Sequence, residues 1–466
     1  MLDLTRLPES ELSAFIAGQP WFRAHGGREG AAARVLEATF VHTVAPLLAI
    51  ALVEVATERG LNEIYQVPVG LRPEAEGVHL AASIASIDGW TAYDALSDPD
   101  LAYEIVDLVR TAASAHTDVS VIEFDPRAGP DVLSPPGSAD LRPIGEGHSN
   151  TSVVVGEEIV LKVYRRLAPG NNPELELLRF LTDHGFANSP ELLGSYEHAG
   201  RQIDATLGVV TRFVPAECDG WTFALSSLAG DPSRFLEHLE RLGEVTGSMH
   251  VLLASDSSDP AFAAEEPSAE SLALVAATLD EEIEAVWAHL PESEVLEPIA
   301  GLGEEVRERL RVLSRMTDRG RVIRHHGNFH LGDLLWTGSD WIVLDFEGPP
   351  DRSVAERRQK RSPLRDVASM LRSFAYAASA TVLTGGKPPP DGWEEQAREN
   401  FLRGYFAVVE PSGFIPGGAA GARQLLEIFE LEKAVDELRH ELEVRPEWLP
   451  IPVAAIERLL AEPPGE

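Results

Sequence analysis

The pattern of apolar and polar positions divides the chain into two regions. Near the N-terminus, runs rich in β-branched and apolar residues at 32–56, 63–71 and 78–87 predict strands, and 100–114 follows the period of an amphipathic helix. From residue 219 onward helical periodicity dominates. The predicted helices there cover residues 234–254, 269–289, 304–316, 393–409, 422–443 and 453–460. The pattern therefore predicts an α+β protein.

Between these regions lies a small predicted sheet. Residues 125–141 are rich in Pro, Gly, Ser and Asp, which predicts an exposed linker without a core of its own. A hairpin follows, with strands at 151–155 and 159–164, and then a helix at 174–184 and strands at 191–196 and 205–213. We therefore predict three parts: an N-terminal subdomain (1–130), a small lobe (131–215) and a mainly helical lobe (216–466).

The net charge of the chain limits which classes of molecule it can bind. The formal net charge of −36 repels phosphate backbones and anionic lipid surfaces, so we expect no nucleic-acid and no membrane partner. The longest apolar run, 46–53, is much shorter than a membrane span. The single cysteine, Cys218, and the lack of a secretory pattern at the N-terminus predict a cytoplasmic protein. The oligomeric state stays open.

Lysines are scarce, which makes each of them informative. Of 39 basic residues only four are lysines: Lys162, Lys360, Lys387 and Lys433. Lys162 lies within a predicted strand, where Leu161 and Val163 would face one side of the sheet and its ammonium the other. It is either an ordinary surface lysine or a compact cation required by an anionic ligand.

A β-rich island interrupts the helices. Residues 323–348 read IRHHGNFHLGDLLWTGSDWIVLDFEG. This spacing resembles the catalytic loop and metal-binding segment of the aminoglycoside phosphotransferase-like kinases, and most of all the actinobacterial maltokinases and glucosamine kinases. Similar stretches extend from about residue 144 to 450, and Trp21-Phe22 is similar to the maltokinase cap. The resemblance implies a bilobal protein-kinase-like fold with an N-terminal cap subdomain, ATP and Mg²⁺ as cofactors, and a small sugar as phosphoryl acceptor.

The resemblance assigns the nucleotide side of the site to the small lobe. Lys162 would neutralise the α- and β-phosphates, with Glu176 of the following helix as its ion-pair partner. Small and polar residues in the hairpin loop at 145–152 would face the phosphates, although an ordinary hairpin loop is the alternative. The predicted nucleotide-binding residues are Ser149, Asn150, Thr151, Lys162, Glu176, Phe213 and Val214.

The metal and catalytic residues are predicted in the island. Asp345 follows an apolar strand, and an ionised carboxylate beside glycine suits Mg²⁺. Asp333 and Glu347 are the second and third candidate ligands. His326 is included among the catalytic-loop residues, and we interpret it as a structural histidine that bonds the loop backbone.

Two positions depart from the related kinases. Those kinases have aspartate at position 328, as base or orienting group, and Asn or Gln as a metal ligand at position 333, whereas this chain has Asn328 and Asp333. An asparagine side chain can position a hydroxyl but cannot take its proton. The chain is therefore a pseudokinase, an inactivated form, or an active enzyme in which the working carboxylate is Asp333. We favour the active enzyme.

The acceptor site is predicted in the helical lobe. Its candidate residues are His330, Asp436, Arg445 and Trp448, the last offering an aromatic face to a sugar. In maltokinases the position of Asp436 is usually tyrosine, so a carboxylate favours a cationic amino sugar such as glucosamine. A maltokinase forming maltose 1-phosphate, an aminoglycoside phosphotransferase and a catalytically dead nucleotide-binding module remain the alternatives.

Overall fold

The chain falls into two compact units. The computed structural model describes residues 2–22, 32–56, 62–76, 82–129, 131–133, 141–145, 149–316, 318–350, 352–416 and 419–461. Unit 1 is Met1–Thr182 with Pro190–Val214, and unit 2 is Asp183–Ser189 with Pro215–Glu466. Among the helices in these described ranges, none has the length and apolar character needed to cross a membrane.

The first sheet of unit 1 is antiparallel and lies at the N-terminal end. Its strands are β1 (Ala32–His42), β2 (Leu47–Ala56), β3 (Asn62–Pro73), β4 (Ser83–Ile87) and β5 (Trp90–Asp94), in the order β1-β2-β3-β5-β4. Helix α1 (Glu9–Ala17) contributes Leu12 and Ile16 to the same core, in which Phe22 is fully buried. The central strand β2 is apolar on both faces because it is covered on both faces.

The second sheet of unit 1 has seven antiparallel strands. They are β6 (Ser114–His116), β7 (Ser120–Pro126), β8 (Leu141–Ile144), β9 (Thr151–Val155), β10 (Ile159–Val163), β12 (Leu192–Gly200) and β13 (Ala205–Arg212). Their order is β6-β7-β12-β13-β10-β9-β8, while β11 (Arg166–Leu167) pairs with β3 of the first sheet. The helices of unit 1 that follow α1 are α2 (Pro99–Arg110) and α3 (Pro173–Asp183).

This topology corrects two boundaries. Strands β6 and β7 precede residue 130, and β7 pairs with β12 beyond it, so the boundary predicted near 130 falls within one sheet. The predicted linker 125–141 begins in β7, and Leu133 is fully buried. Turn-forming composition does not exclude a buried anchor, because one apolar side chain is enough to hold a loop on a core. Residues 134–140 lie outside the described ranges, and the division of unit 1 into cap and small lobe stays a prediction.

Arg165 joins the two sheets of unit 1. Its side chain is 1% exposed, its Nη2 lies 2.7 Å from Asp94 Oδ2, and its guanidinium carbon is 4.8 Å from the Trp21 ring centroid. Gln66 of β3 donates to the carbonyl oxygens of Tyr164 at 3.0 Å and Leu207 at 2.7 Å. Because these buried side chains bond across the two sheets, they fix the position of β10 relative to the first sheet.

Unit 2 is mainly helical. Its helices are α4 (Gly220–Ala229), α5 (Pro232–Leu236), α6 (Leu239–Leu253), α7 (Ala269–Ala288), α8 (Gly303–Arg315), α9 (Val354–Arg357), α10 (Leu364–Leu383), α11 (Trp393–Val409), α12 (Ala419–Val444) and α13 (Pro450–Ala461). A small antiparallel sheet contains β14 (Cys218–Asp219), β15 (Leu334–Trp336) and β16 (Trp341–Val343). Strands β15 and β16 belong to the β-rich island, and β14 pairs with β15 from outside it. The α+β class predicted from the sequence is confirmed.

Two glycines bring α6 and α11 into close contact. A Cβ at Gly243 would lie 2.0 Å from the carbonyl oxygen of Phe401, and one at Gly404 would lie 1.9 Å from that of Glu240. Any side chain there would push the helices apart. The close packing matters for the site, because α6 carries His250 and α11 carries Tyr405, whose hydroxyl lies 3.1 Å from His250 Nδ1.

Helix prediction was accurate where one face of the helix is exposed. The predicted helix 393–409 is α11, whereas 234–254 is divided into α5 and α6 at Glu237–His238. Helix α10 was not predicted. Most of its residues are buried, and its apolar residues recur with a helical period, as in Leu364, Val367, Ala368 and Leu371.

Candidate active site

A buried carboxylate on α10 anchors the loop at residues 325–333. Asp366 is 1% exposed, and its oxygens accept the backbone N–H groups of His326 at 2.8 Å and Gly327 at 2.9 Å. Nε2 of His250 lies 3.1 Å from the same carboxylate. Burial alone would raise the pKa of Asp366, but the neighbouring His325 and His250 hold it well below its usual range. Asp366 therefore acts as a charged acceptor that fixes the loop backbone.

His326 ties this loop to the segment after β16. Its Nε2 lies 2.7 Å from the carbonyl oxygen of Leu344, and its ring centroid is 5.1 Å from that of Phe329 and 5.0 Å from that of Phe346. Burial lowers the pKa of His326, so the ring is neutral and donates its Nε2 proton to the carbonyl. The ring thus bonds the backbone of the segment after β16. The role of His326 among the catalytic-loop residues stays a prediction.

The exchanged residues Asn328 and Asp333 meet around His330. The Asp333 carboxylate is 5% exposed and accepts the backbone N–H of His330 at 3.2 Å, while the N–H of Gly332 donates to His330 Nδ1 at 3.1 Å. These two bonds close a capping box around the turn Leu331–Asp333. On its other side the ring faces Asn328, with 3.5 Å between His330 Nε2 and Asn328 Nδ2.

Two further carboxylates lie just beyond β16. Asp345 has a left-handed backbone with φ of +58°, and one of its oxygens lies within 4.8 Å of an oxygen of Glu347. A Cβ at Gly327 would lie 3.6 Å from the Cα of Gly348, so this segment runs beside the anchored loop. Paired carboxylate oxygens are the donor set that Mg²⁺ prefers. A left-handed aspartate costs backbone free energy and is typical of functional turns.

The predicted ligand set of Asp333, Asp345 and Glu347 is only partly assembled. Within the described part of the chain, Asp345 and Glu347 come together, but Asp333 does not share a cluster with both at the same 4.8 Å separation. The reason is the capping box, in which the Asp333 carboxylate is directed at the His330 backbone. A metal-binding role for Asp333 stays a prediction.

In unit 1, Lys162 is held by a buried glutamate. Its side chain is 12% exposed, its Nζ lies 2.8 Å from an oxygen of Glu174, and the same oxygen accepts the hydroxyl of Tyr164 at 2.7 Å. The prediction named Glu176 as partner, but the structure places Glu174 there. Glu174 and Glu176 both lie in the first turn of α3, but residues two apart on a helix differ by about 200° around its axis, so Glu176 lies on a different side of the helix from Glu174.

The hairpin loop at 145–152, predicted to face the phosphates, also contacts Arg165. Asn150 Oδ1 accepts the backbone N–H of Arg165 at 3.3 Å, and Thr151 Oγ1 accepts Arg165 Nε at 2.8 Å. Both oxygens therefore also hold the arginine that joins the two sheets. Ser149 is exposed, and residues 146–148 of the loop lie outside the described ranges. Phosphate binding by Ser149, Asn150 and Thr151 stays a prediction.

The last two predicted nucleotide-binding residues follow β13. The Phe213 backbone N–H donates to the Glu158 carbonyl at 2.8 Å, which places Phe213 beside the β9–β10 hairpin. Val214 is the last residue of this part of unit 1, and both side chains are half-buried. They are accessible for contact with a ligand, and their role stays a prediction.

Helix α12 carries charged side chains near the anchored loop. Desolvation and then the Lys433 ammonium lower the pKa of His330, so the Lys433 side chain lies within electrostatic reach of that ring. Three residues later on α12, burial raises the pKa of Asp436 to about 6, although the side chain is still 38% exposed. Arg439 Nη2 lies 3.7 Å from Asp436. A partly accessible carboxylate with a raised pKa is a good partner for a small cation.

The two remaining acceptor candidates contact each other. The Arg445 guanidinium carbon lies 4.8 Å from the Trp448 ring centroid, and its nitrogens contact both oxygens of Glu441 at 2.7 and 3.0 Å. The Tyr376 ring stacks on Trp448 with centroids 6.3 Å apart. The predicted open aromatic face of Trp448 is therefore already contacted by two side chains of this chain, and Arg445 is neutralised by a glutamate.

Comparison with known protein families shows to which family the chain belongs. A model of the phosphotransferase enzyme family (APH) matches residues 140–385, more than half of the chain. The chain belongs to this phosphotransferase family. Residues 15–98 match a maltokinase N-terminal cap domain, which confirms the resemblance seen at Trp21-Phe22.

Named relatives agree with this assignment. A glucosamine kinase of Mycolicibacterium smegmatis is 27% identical over 340 residues, which cover 69% of this chain and 80% of the relative. One from Streptacidiphilus jiangxiensis is 26% identical over 329 residues, covering 67% and 72%.

Solved structures show the same fold. A glucosamine kinase in complex with glucosamine, ADP and inorganic phosphate matches with a TM-score of 0.68 at 21% identity, covering 98% of this chain and 99% of that one. A second crystal form of a glucosamine kinase matches with a TM-score of 0.66 at 20% identity, covering 92% and 94%. The kinase-like fold with an N-terminal cap predicted from the sequence is confirmed.

Three residues that contact or lie near predicted site residues of their own unit were missed by the sequence analysis. Asp366 and Glu174 are acidic residues in the first turns of α10 and α3, a signal that also fits ordinary helix capping. Lys433 was singled out only as one of four lysines. In each case the sequence offered a residue type, and the function became visible only through the contacts.

Proposed function

We propose that this phosphotransferase transfers the γ-phosphoryl group of ATP to a hydroxyl of a small amino sugar such as glucosamine. The observation that carries the proposal is Asp436, a partly exposed carboxylate on α12 that lies close to Lys433, the lysine within reach of the loop residue His330. The glucosamine kinases among the relatives support the same acceptor. Because the reaction consumes ATP, we expect the protein in the cytoplasm.

In unit 1, Lys162 would neutralise the ATP phosphates. The overall charge of −36 repels a nucleotide triphosphate, so a local cation is required. Glu174 and the hydroxyl of Tyr164 fix the direction of the ammonium. A lysine positioned in this way pays less ordering entropy when the nucleotide binds.

In unit 2, Asp345 and Glu347 would hold a magnesium ion. Their oxygens lie within 4.8 Å of each other, and carboxylate oxygens match the ligand preference of Mg²⁺. When bound, the ion supplies positive charge to the phosphate oxygens.

The metal assignment predicts a conditional effect of Asp345→Asn. The variant should weaken nucleotide binding strongly in the presence of Mg²⁺ and little in its absence, because the lost charge acts through the ion. Calorimetry with and without Mg²⁺ measures both affinities. Equal losses in the two conditions would identify Asp345 as a folding residue and move the metal elsewhere.

The loop at residues 325–333 would orient the acceptor hydroxyl. The Asn328 side chain can accept or donate a hydrogen bond. Asp366 holds the backbone of the two residues that precede Asn328. In a loose phosphoryl-transfer transition state the hydroxyl proton leaves late, so positioning without a strong base at residue 328 still permits turnover. We therefore propose an active enzyme rather than a relic.

A maltokinase is the second candidate, because the match to a maltokinase N-terminal cap favours it. Maltose has no cationic group, however, and would not exploit the carboxylate at Asp436. An ADP-release assay with glucosamine, maltose, glucose and an aminoglycoside separates the candidates. We expect glucosamine to give the highest kcat/KM. Preference for maltose or for the aminoglycoside would overturn the amino-sugar proposal, and no turnover with any acceptor would leave a nucleotide-binding module.

A further inference from the structure

Unit 2 contains a recess with basic walls and an apolar floor. The recess and the open solvent at its mouth together fill about 450 Å³, and its described lining includes four basic side chains and no acidic one. The basic residues are Arg319, Lys360, Arg361 and Arg365. Leu425 and Phe429 of α12 form part of the floor. In a chain with a net charge of −36, a lining of one sign opposite to the whole molecule is unexpected.

Two of these cations are neutralised within the protein. Lys360 donates to the carbonyl oxygens of Pro260 at 2.6 Å and Ala263 at 2.7 Å, and also pairs with Glu265. Arg365 pairs with Glu432 and lies over Phe429, with 4.6 Å between its guanidinium carbon and the ring centroid. These contacts fix the walls of the recess.

Arg361 differs from Lys360 and Arg365 in its hydrogen-bond partner. Among the described residues no carboxylate pairs with it, and its guanidinium donates to the neutral amide oxygen of Gln359 at 2.6 Å. Burial, and after it the Arg365 guanidinium, lower the pKa of Arg361, and the Glu432 and Glu356 carboxylates offset only part of this effect. A half-buried cation beside a like charge is costly unless an anion compensates it.

We propose that this recess binds a small organic anion, with its phosphate or carboxylate group on Arg361 and its apolar part against Phe429 and Leu425. Guanidinium groups match the oxygens of both anions, and the floor provides apolar area for the remainder of the molecule. The site lies on the described residues of unit 2 alone and is independent of the proposed function.

The walls of the recess continue into the active-site loop. Arg361 and Ile323 exchange two backbone hydrogen bonds, at 2.9 and 3.0 Å, two residues before His325. Arg365 directly precedes Asp366, which anchors the loop. An anion bound here would therefore contact the two segments that hold the catalytic loop, which makes the recess a candidate regulatory site.

Calorimetry on the full-length protein saturated with Mg²⁺ and ADP tests the proposal. The probe is phenyl phosphate. Benzoate replaces the phosphate by a carboxylate, inorganic phosphate removes the apolar part, and benzyl alcohol removes the charge. We expect saturable 1:1 binding of phenyl phosphate or benzoate, tighter than inorganic phosphate, and none of benzyl alcohol.

The Arg361→Gln variant locates the binding. It should weaken the preferred probe about tenfold or more, the usual cost of losing a charge-assisted pair, while Arg423→Gln, at an exposed position of α12, should leave it unchanged. Should Arg361→Gln fail to fold, Ser362→Glu places a repelling carboxylate in the same recess and should have the same effect. Equal affinity in the folded variant and the wild type, or no saturable binding of any anion, would overturn the proposal.

Discussion

Lys162 and Asn328 are held in opposite ways. In unit 1 the Lys162 side chain itself is fixed, by a 2.8 Å ion pair with Glu174. In unit 2 the Asn328 side chain makes a long contact of 3.5 Å with His330, and the backbone of the two preceding residues is fixed by Asp366.

The difference explains which exchanges each region tolerates. Side-chain anchoring depends on residue identity, so a change at Lys162 or Glu174 would remove the contact. Backbone anchoring depends on N–H groups, which every residue except proline has. The exchange of Asn and Asp between positions 328 and 333 therefore leaves the anchors of the loop intact, and the loop can keep its shape while its chemistry changes.

The largest effect is expected for Lys162→Ala. If the Lys162 side chain neutralises the ATP phosphates, turnover should fall on the order of 10³-fold or more, because no fixed cation then stabilises the charge on the transferred phosphoryl group. Lys387→Ala, at an exposed position, is the matched control. A folded Lys162→Ala protein, checked by circular dichroism, with wild-type turnover would show that the phosphate site has been misplaced.

The second-largest effect on turnover is expected for substitutions of the exchanged residues Asn328 and Asp333. If Asp333 is the working carboxylate, Asp333→Asn should reduce turnover severely, and Asn328→Ala, which loses a positioning bond of about 1 kcal/mol, should be milder. If the chain is an inactivated form, Asn328→Asp should raise turnover roughly 10²–10⁴-fold. Steady-state rates with glucosamine and maltose separate the two. A large gain in Asn328→Asp would contradict the relocated carboxylate.

Asp366→Asn tests backbone anchoring directly. Replacing a buried charged acceptor should cost about 3–5 kcal/mol in the free energy of unfolding, and a displaced loop should lower kcat about 10²-fold. Denaturant unfolding and steady-state kinetics measure the two effects. Asp391→Asn, at an exposed site of the same unit, should change neither. Wild-type kcat in a folded Asp366→Asn protein would mean that the loop holds its shape without this anchor.

The smallest expected effect is the pH dependence of kcat/KM for glucosamine. The pKa of Asp436 is raised to about 6, so the carboxyl group is mostly ionised at pH 7 and mostly protonated at pH 5. The kcat/KM for cationic glucosamine should therefore fall about tenfold as the pH drops from 7 to 5. Neutral maltose and the Asp436→Asn variant serve as controls and should lack this step. A pH profile that is the same for both sugars would show that Asp436 does not contact the acceptor.

Prediction from sequence worked best where a local pattern is sufficient. The strand 159–164 and the helix 393–409 follow from periodicity, and the structure has β10 at Ile159–Val163 and α11 at Trp393–Val409. The helix at Leu364–Leu383 was not predicted, although its apolar residues recur with a helical period. The boundary near residue 130 failed because β7 finds its partner β12 more than sixty residues later, a pairing that no local pattern records.

The sequence by itself determined the residue types of the site and the order in which they occur. The scarcity of lysine marked Lys162, and the spacing of residues 326–348 indicated a phosphotransferase loop. Tertiary structure alone decided which partners hold them: Glu174 rather than Glu176, and Asp366 beneath the loop. It also showed that the Trp448 ring is contacted by Arg445 and Tyr376. The physical reason is that a side chain's partner depends on the direction in which its helix or strand faces and on which distant segment packs there.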